Sequence, residues 1–241
     1  GRRTLLTPPN SVSTTYQYDA ASRPSALIYQ STTGLLGNLT YQYDATGNRT
    51  RIGGSFARTL LPTQVGTASY NAANQQVTFG GRTLGYDANG NLMTDGVNVY
   101  TWDARNRLVS IGGPAATAIF QYDPVGRRIQ RTVNATSTAF LYDGQNPVQE
   151  LSAATGPVNI LTGLSIDEYL TRTDSAGRST FLGDPLGSVV ALTDDAGAVQ
   201  TQYTYEPFGA VATSGAFSTN SFQYTGREND GTGLYYYRMR Y

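Results

Sequence analysis

The stretch Tyr43-Asp44-Ala45-Thr46-Gly47-Asn48-Arg49 decides how this chain is read. An aromatic residue is followed by Asp, two variable residues and Gly. Asp at the first position of a type I turn can accept hydrogen bonds from the backbone N–H groups ahead of it. Gly three residues on takes the positive φ that other residues resist. A type I turn closed by such a glycine is a common hairpin loop with a bulge. The heptapeptide therefore predicts the tip of a β-hairpin.

Working outward, the same pattern recurs. It stands at Tyr18-Asp19, at Tyr86-Asp87 with Gly90, at Trp102-Asp103, at Tyr122-Asp123 with Gly126, and at Tyr142-Asp143. Tyr70-Asn71 is a degenerate copy, and Gly183-Asp184 with Gly187 and Tyr205-Glu206 with Gly209 are later variants. In the middle of the chain the spacing settles to about 16 to 20 residues, the length of a strand, a tight turn, a strand and a return turn. Each motif thus marks one hairpin, and the motif turns should share one side of a sheet. The return turns read Ser31-Thr32-Thr33-Gly34, Gly53-Gly54, Asp95-Gly96, Gly112-Gly113-Pro114 and Asn134-Ala135-Thr136. Asp95-Gly96 has the form of a two-residue hairpin loop. Pro124 and Pro185 occupy the second turn position, where a fixed φ near −65° suits the turn.

The residues before each turn alternate. Tyr16-Gln17-Tyr18, Tyr41-Gln42-Tyr43, Tyr100-Thr101-Trp102, Phe120-Gln121-Tyr122, Phe140-Leu141-Tyr142, Tyr203-Thr204-Tyr205 and Phe222-Gln223-Tyr224 all place rings two residues apart. Side chains two apart share one face of a strand, so one face carries an aromatic ladder and the other mostly Gln and Thr. Arg49, Arg107 and Arg127 follow their turns, where a guanidinium can stack on a neighbouring tyrosine or pair with a turn Asp.

Composition narrows the function. The chain of 241 residues has zero formal net charge, and all 17 of its basic residues are arginine. Charged residues are 14% of the whole, so no basic stripe neutralises phosphates and no nucleic-acid partner is expected. With no cysteine and no histidine, disulfides, thiolate metal sites and the commonest general base are excluded. There are 18 tyrosines and 27 glycines, which fit pleated surfaces and turns and support an all-β reading. No apolar run approaches the roughly 18 residues of a membrane-spanning helix. Gly1-Arg2-Arg3 is not followed by the apolar core of a signal peptide, and the expectation is a segment of a longer protein.

Carboxylates are the remaining acid–base candidates. Asp194, Asp195 and Glu206 could be pictured as a glycosidase pair. Asp194 and Asp195 point to opposite faces if extended, and Asp195-Ala196-Gly197 reads as a turn, so a structural role is expected. Asp87-Ala88-Asn89-Gly90-Asn91 fails as an EF-hand loop, because Leu92 and Asn98 stand where Gly and Glu are required. Asn38, Asn48 and Asn134 begin glycosylation triplets that matter only in a eukaryotic secretory setting. No cofactor is expected.

These motifs resemble the YD-repeat, or RHS-repeat, family. The resemblance covers nearly the whole chain and is most specific in its last third. Asp184-Pro185-Leu186-Gly187-Ser188 through Asp194, Tyr205-Glu206-Pro207-Phe208-Gly209, and Tyr224-Thr225-Gly226-Arg227-Glu228-Asn229-Asp230-Gly231-Thr232-Gly233-Leu234 through Arg238 and Tyr241 look like the RHS-associated core. The resemblance implies a long β-sheet that spirals into a hollow shell. In bacterial members the shell encloses a C-terminal toxin, and an aspartate pair cuts the chain beyond the segment seen here. That activity is therefore assigned to no residue of this chain. Arg227 and Glu228, beside Tyr224, are expected to form a polar cluster that pins the core-like segment to the wall.

The expectation is an all-β fold of tandem antiparallel β-hairpins in a curved or spiralling sheet. Residues 1–180 form a YD-repeat wall, and residues 181–241 an incomplete core-like segment continuous with it. The expected function is a non-catalytic, secreted or cell-surface bacterial shell segment. Its partners are a C-terminal toxin of the same gene product and secretion or chaperone proteins. The rival readings are an adhesion or glycan-binding module with exposed tyrosines, and a filament or sheath pairing through open sheet edges.

Overall fold

The computed structural model describes residues 1–238 and 241, and the chain is all-β and antiparallel as the turn spacing predicts. It falls into two compact units, residues 1–61 with 158–227 and residues 62–157 with 228–241.

In the first unit a five-stranded sheet comprises Leu5–Leu6, Ser13–Tyr18, Pro24–Ser31, Gly34–Tyr43 and Arg49–Gly53 in chain order. The strands Gly156–Thr162, Tyr169–Asp174, Gly177–Gly183, Val189–Thr193, Val199–Tyr205 and Val211–Gly215 likewise pair each with the next. Among these, Val189–Thr193 is buried along its whole length. Phe181 pairs with Leu192 and Leu182 with Ala191, so these residues serve opposite faces, and a register shift before Val189, which pairs with Gly183, leaves Val190 on the same side as Ala191. Leu182, Val190 and Ala191 pack with Leu27, Tyr29, Leu39 and Tyr41 of the five-stranded sheet. Phe181, Val189 and Leu192 pack with Ile160, Tyr203 and Phe222 on the other side. A strand buried on both faces loses the alternation of its neighbours, which is why Val189-Val190-Ala191-Leu192 is a continuous apolar run.

In the second unit, Ala68–Tyr70, Gln76–Phe79 and Arg82–Thr83 form a three-stranded sheet. The strands from Gly85–Tyr86 to Asn146–Ser152 pair in chain order, and Tyr100, Leu108, Ile111, Ala118 and Phe120 build the core. Glu228–Asn229 and Tyr235–Tyr236 form a two-stranded sheet, and Leu234 and Tyr241 pack on that core.

The motif turns have the expected geometry. The Asp N–H donates to the carbonyl four residues on, and the N–H three residues on returns to the Asp carbonyl, as at Asp44, Asp87 and Asp123. Ladder register shifts by a bulge after Gln42 and after Gln121. Gly47, Gly90 and Gly126 have φ of +95°, +84° and +93°. Asn74 and Asn106 hold the same place at +61° and +58°, a region that Asn tolerates better than most residues.

The structure corrects the reading of three turns. Thr94 pairs with Val99, so residues 95–98 form the loop in place of a two-residue turn. The Asp95 carboxylate draws it open by accepting the Val97 and Asn98 N–H groups and the Tyr100 hydroxyl. Asp143 pairs with Asn146 across Gly144-Gln145, so Tyr142-Asp143 opens a tighter turn than its relatives. Phe222-Gln223-Tyr224 does not enter a hairpin. Tyr224–Gly226 is a 3₁₀ turn, with Thr225 and Gly226 at φ of +50° and +69°.

Gly126 would meet nothing if given a Cβ, so its requirement is purely backbone. Gly126→Val should lower stability in urea by about 1–2 kcal/mol, the cost of a left-handed branched residue. Gly126→Asn should lose clearly less. Equal losses would remove the conformational explanation.

Candidate functional site: the turn ladder and two core anchors

Each motif reaches back to the one before it. The Tyr43 hydroxyl donates to the Pro24 carbonyl, Tyr86 to Gln76, Tyr122 to Leu108, Tyr142 to Arg128 and Tyr205 to Val189, at 2.7–2.8 Å. The Trp102 Nε1–H does the same to Leu92 at 2.8 Å. In every case the acceptor is the residue five places past the preceding turn acid or amide: Asp19, Asn71, Asp87, Asp103, Asp123 and Asp184. Tyr18 donates instead to the Arg3 carbonyl, and Tyr224 to Pro207.

The turn arginines complete the ladder. Arg23, Arg107 and Arg127 pair with their own turn acids, Asp19, Asp103 and Asp123, at 2.7 Å. The same guanidiniums lie 4.5, 4.8 and 5.2 Å from the ring centroids of Tyr43, Tyr122 and Tyr142 in the following motif. They also donate to the next turn's carbonyls at Asp44, Asp123 and Gly144. Pairing and stacking thus occur together. In the Asp44 turn Asn48 takes the arginine's place and bonds the Asp44 carboxylate itself.

Two of the turn carboxylates, Asp44 and Asp95, are held well below the usual carboxylate range. The Thr46 hydroxyl and then Asn48 lower Asp44 to about 2. Asp95 pays a burial penalty but is lowered to about 2 by the Asn98 and Val97 N–H groups and by Asn98 and Tyr100 side chains. Asp194 accepts the Ala198 N–H and the Gln200 amide, and Asp195 pairs with Arg178, so the two acids face different partners. Glu206 closes its turn with Gly209, at φ of +95°. Among the described residues no group of three or more acids is placed to hold a metal ion.

In the first unit the core-like residues meet around Asp184. Its carboxylate accepts the Leu186 and Ser188 N–H groups, and Gly187 closes the turn at φ of +84°. The Ser188 hydroxyl accepts the Thr225 N–H at 3.0 Å. A Cβ on Gly226 would come within 3.4 Å of the Gly187 carbonyl. Arg227 pairs with Asp167 at 2.6 Å, and the rings of Tyr205 and Tyr224 are 5.5 Å apart.

Glu228 has a different ion-pair partner from Arg227. In the second unit Glu228 and Asp230 both pair with Arg128, whose side chain is fully buried. Arg131 adds a second guanidinium to Asp230 at 2.7 Å. The Arg128 guanidinium lies 4.2 Å from the Tyr236 ring and 5.4 Å from Phe120, and the Tyr236 hydroxyl accepts the Arg128 N–H. Burial raises the Glu228 carboxyl against the pull of Arg128. For Asp230, burial is outweighed by Arg128 and Arg131, and its carboxyl is lowered. Arg238 donates to the Gln145 carbonyl, and Gly233 turns the segment at φ of +84°. Neither Arg128 nor Asp230 is distinguished in the sequence from the other charged residues near turns. Only the offset shared by Arg49 and Arg128, five places past an Asp, could have flagged them.

The profile of the Teneurin YD-shell family matches residues 2–233, and the chain belongs to that family. The chain is 31% identical over 215 residues to the tRNA3(Ser)-specific nuclease WapA of Bacillus spizizenii, across 84% of this chain and 9% of the nuclease. It is 27% identical over 244 residues to the double-stranded DNA deaminase toxin A of Burkholderia cenocepacia, across 83% of this chain and 16% of the toxin. The crystal structure of TcdB2-TccC3 without its hypervariable C-terminal region matches 98% of this chain and 17% of that one, at a TM-score of 0.68 and 17% identity. The Photorhabdus luminescens Tc holotoxin pore matches 95% of this chain and 16% of that one, at 0.66 and 17% identity. At that identity the likeness is one of fold. The chain spans less than a fifth of the length of each of these proteins. It is a structural segment of a YD-repeat shell.

Removing a partner from a buried ion cluster leaves uncompensated charge. Arg128→Ala should therefore destabilise the protein by about 3–5 kcal/mol in chemical denaturation. Arg178→Ala, at a pair with an exposed acid, should cost less than about 1 kcal/mol. A loss for Arg128→Ala no larger than for Arg178→Ala would refute the anchoring role.

A carboxyl lowered in the folded state gives stability that is full above its unfolded pKa and is lost as the pH falls through the folded value. For Asp44 that window runs from its ordinary 3.8 to about 2. The buried Glu228 and half-buried Asp184 carboxyls are raised and titrate in the opposite sense. The difference between wild type and Asp44→Asn in urea midpoint should hence be constant above about pH 5 and shrink between about pH 4 and pH 2. A difference independent of pH would show that the Asp44 charge is not what the turn uses.

Proposed function

We propose that this chain is part of a wall that encloses and protects a C-terminal effector of the same gene product, on a protein exported from or displayed on a bacterial cell. The observation that carries this reading is where the ladder's chemistry goes. The motif tyrosine hydroxyls bond neighbouring backbone, and the paired arginines are engaged by their turn acids and by the next motif's rings. Groups used in this way build a surface, which supports reading the wall as structural and non-catalytic. Tyr29, Tyr41, Tyr100 and Tyr203 are buried, which speaks against a platform of adjacent open rings for glycans. The shell fold and relatives named as a nuclease and a deaminase toxin support an effector as the enclosed partner. No described helix is long and apolar enough to cross a membrane.

The test takes the natural full-length product through native and denaturing separation, with intact mass measured on each. A C-terminal polypeptide should travel with the shell until denaturant is added, and should resist protease until then. A product whose C-terminal region is digested as fast under native conditions as in denaturant would end the container reading and return the adhesion and filament readings.

A further inference from the structure

Arg49 and Arg128 hold the same place in two copies of the motif, Tyr41-Gln42-Tyr43-Asp44 and Phe120-Gln121-Tyr122-Asp123. The register agrees: Arg49 pairs with Tyr43 as Arg128 pairs with Tyr122. Each guanidinium lies 5.4 Å from the first ring of its motif, Tyr41 or Phe120. Their surroundings differ. Arg128 is sealed by Glu228, Asp230 and Tyr236 from the segment that lies over it. Arg49 is exposed and stacks on Tyr41, and the Asp184 carboxylate feels its charge at longer range.

The space over Arg49 is shaped. It is a cleft of about 340 Å³ within the first unit, lined by Tyr205 and Tyr224 and floored by the largely buried Tyr41, Phe56 and Tyr203. Arg58 lines it too, with its guanidinium 5.7 Å from the Phe56 ring. Asp184 and Glu206 line the cleft as well, so it carries no strong net charge. The Asp184 carboxylate is occupied by turn amides. Recognition here is consequently local, a carboxylate on a guanidinium with rings around it.

We propose that this cleft seats an extended peptide segment bearing a carboxylate and a tyrosine, docked on Arg49 as residues 228–236 dock on Arg128. The ligand is acidic, aromatic peptide, and the site is separate from the container reading, because binding is measured on this chain alone.

The probe is a fluorescein-labelled synthetic peptide with the sequence of residues 228–238, titrated with the 241-residue chain and followed by anisotropy. Saturable binding is expected, weakened about tenfold by Arg49→Gln, the loss of one charge-assisted pair. Arg49→Lys should fall between, since lysine keeps the charge but not the fork. Arg51→Gln, on the Gln42 face of the same strand, should bind as wild type does. A peptide with Gln and Asn for its Glu228 and Asp230 equivalents should match the Arg49→Gln loss. The proposal is overturned by no saturable binding, by binding that survives Arg49→Gln because the peptide displaces the segment over Arg128, or by equal losses in Arg49→Gln and Arg51→Gln. Thermal melts of each variant separate loss of binding from loss of fold.

Discussion

The structure depends on one repeated bond, from an aromatic side chain to the backbone carbonyl of the preceding hairpin. A hairpin tip left to itself frays, because its loop is solvated and its strands are short. Here a tyrosine or tryptophan donor reaches across and fixes the next tip at a set distance. Each such bond contributes only about 0.5–1.5 kcal/mol. Its importance is geometric, since the acceptor address is the same in six copies, from Tyr43 to Tyr205. The arginine that binds its own acid, and stacks on the next ring, adds a second tie between the same two tips.

Much of this was legible in the sequence because it is local. The aspartate, the glycine and the ring before them lie within a few residues, and type I turn chemistry requires those types at those places. The alternation Tyr41-Gln42-Tyr43 gave the faces, and Gln42 and Gln121 are exposed while Tyr41 and Phe120 are buried. The Asp95-Gly96 turn was misread because its length is set by what the Asp95 carboxylate gathers, including Tyr100 from the following strand.

The anchors of the core-like segment were not legible. Arg227 and Glu228 are neighbours in the chain, yet they bind Asp167 and Arg128. Adjacent residues on an extended backbone point apart, so a sequence cluster is not a spatial one. Their partners lie 60 and 100 residues away, and no local rule connects them. Arg128 also shows why burial of charge needs a complete set of partners. Two carboxylates and several rings surround it, whereas its counterpart Arg49 stays at the surface.

The constant address of the tyrosine bond has a genetic consequence. Every rung refers only to the rung before it, through an offset that contains no global coordinate. Unequal recombination that inserts or deletes one whole hairpin leaves each remaining tyrosine with a carbonyl at the right distance. The length of such an array can therefore drift in multiples of a repeat while the sequence within a repeat stays fixed. An insertion of part of a repeat has no such freedom, because it moves a ring away from its acceptor and, when odd in length, turns its face over as well.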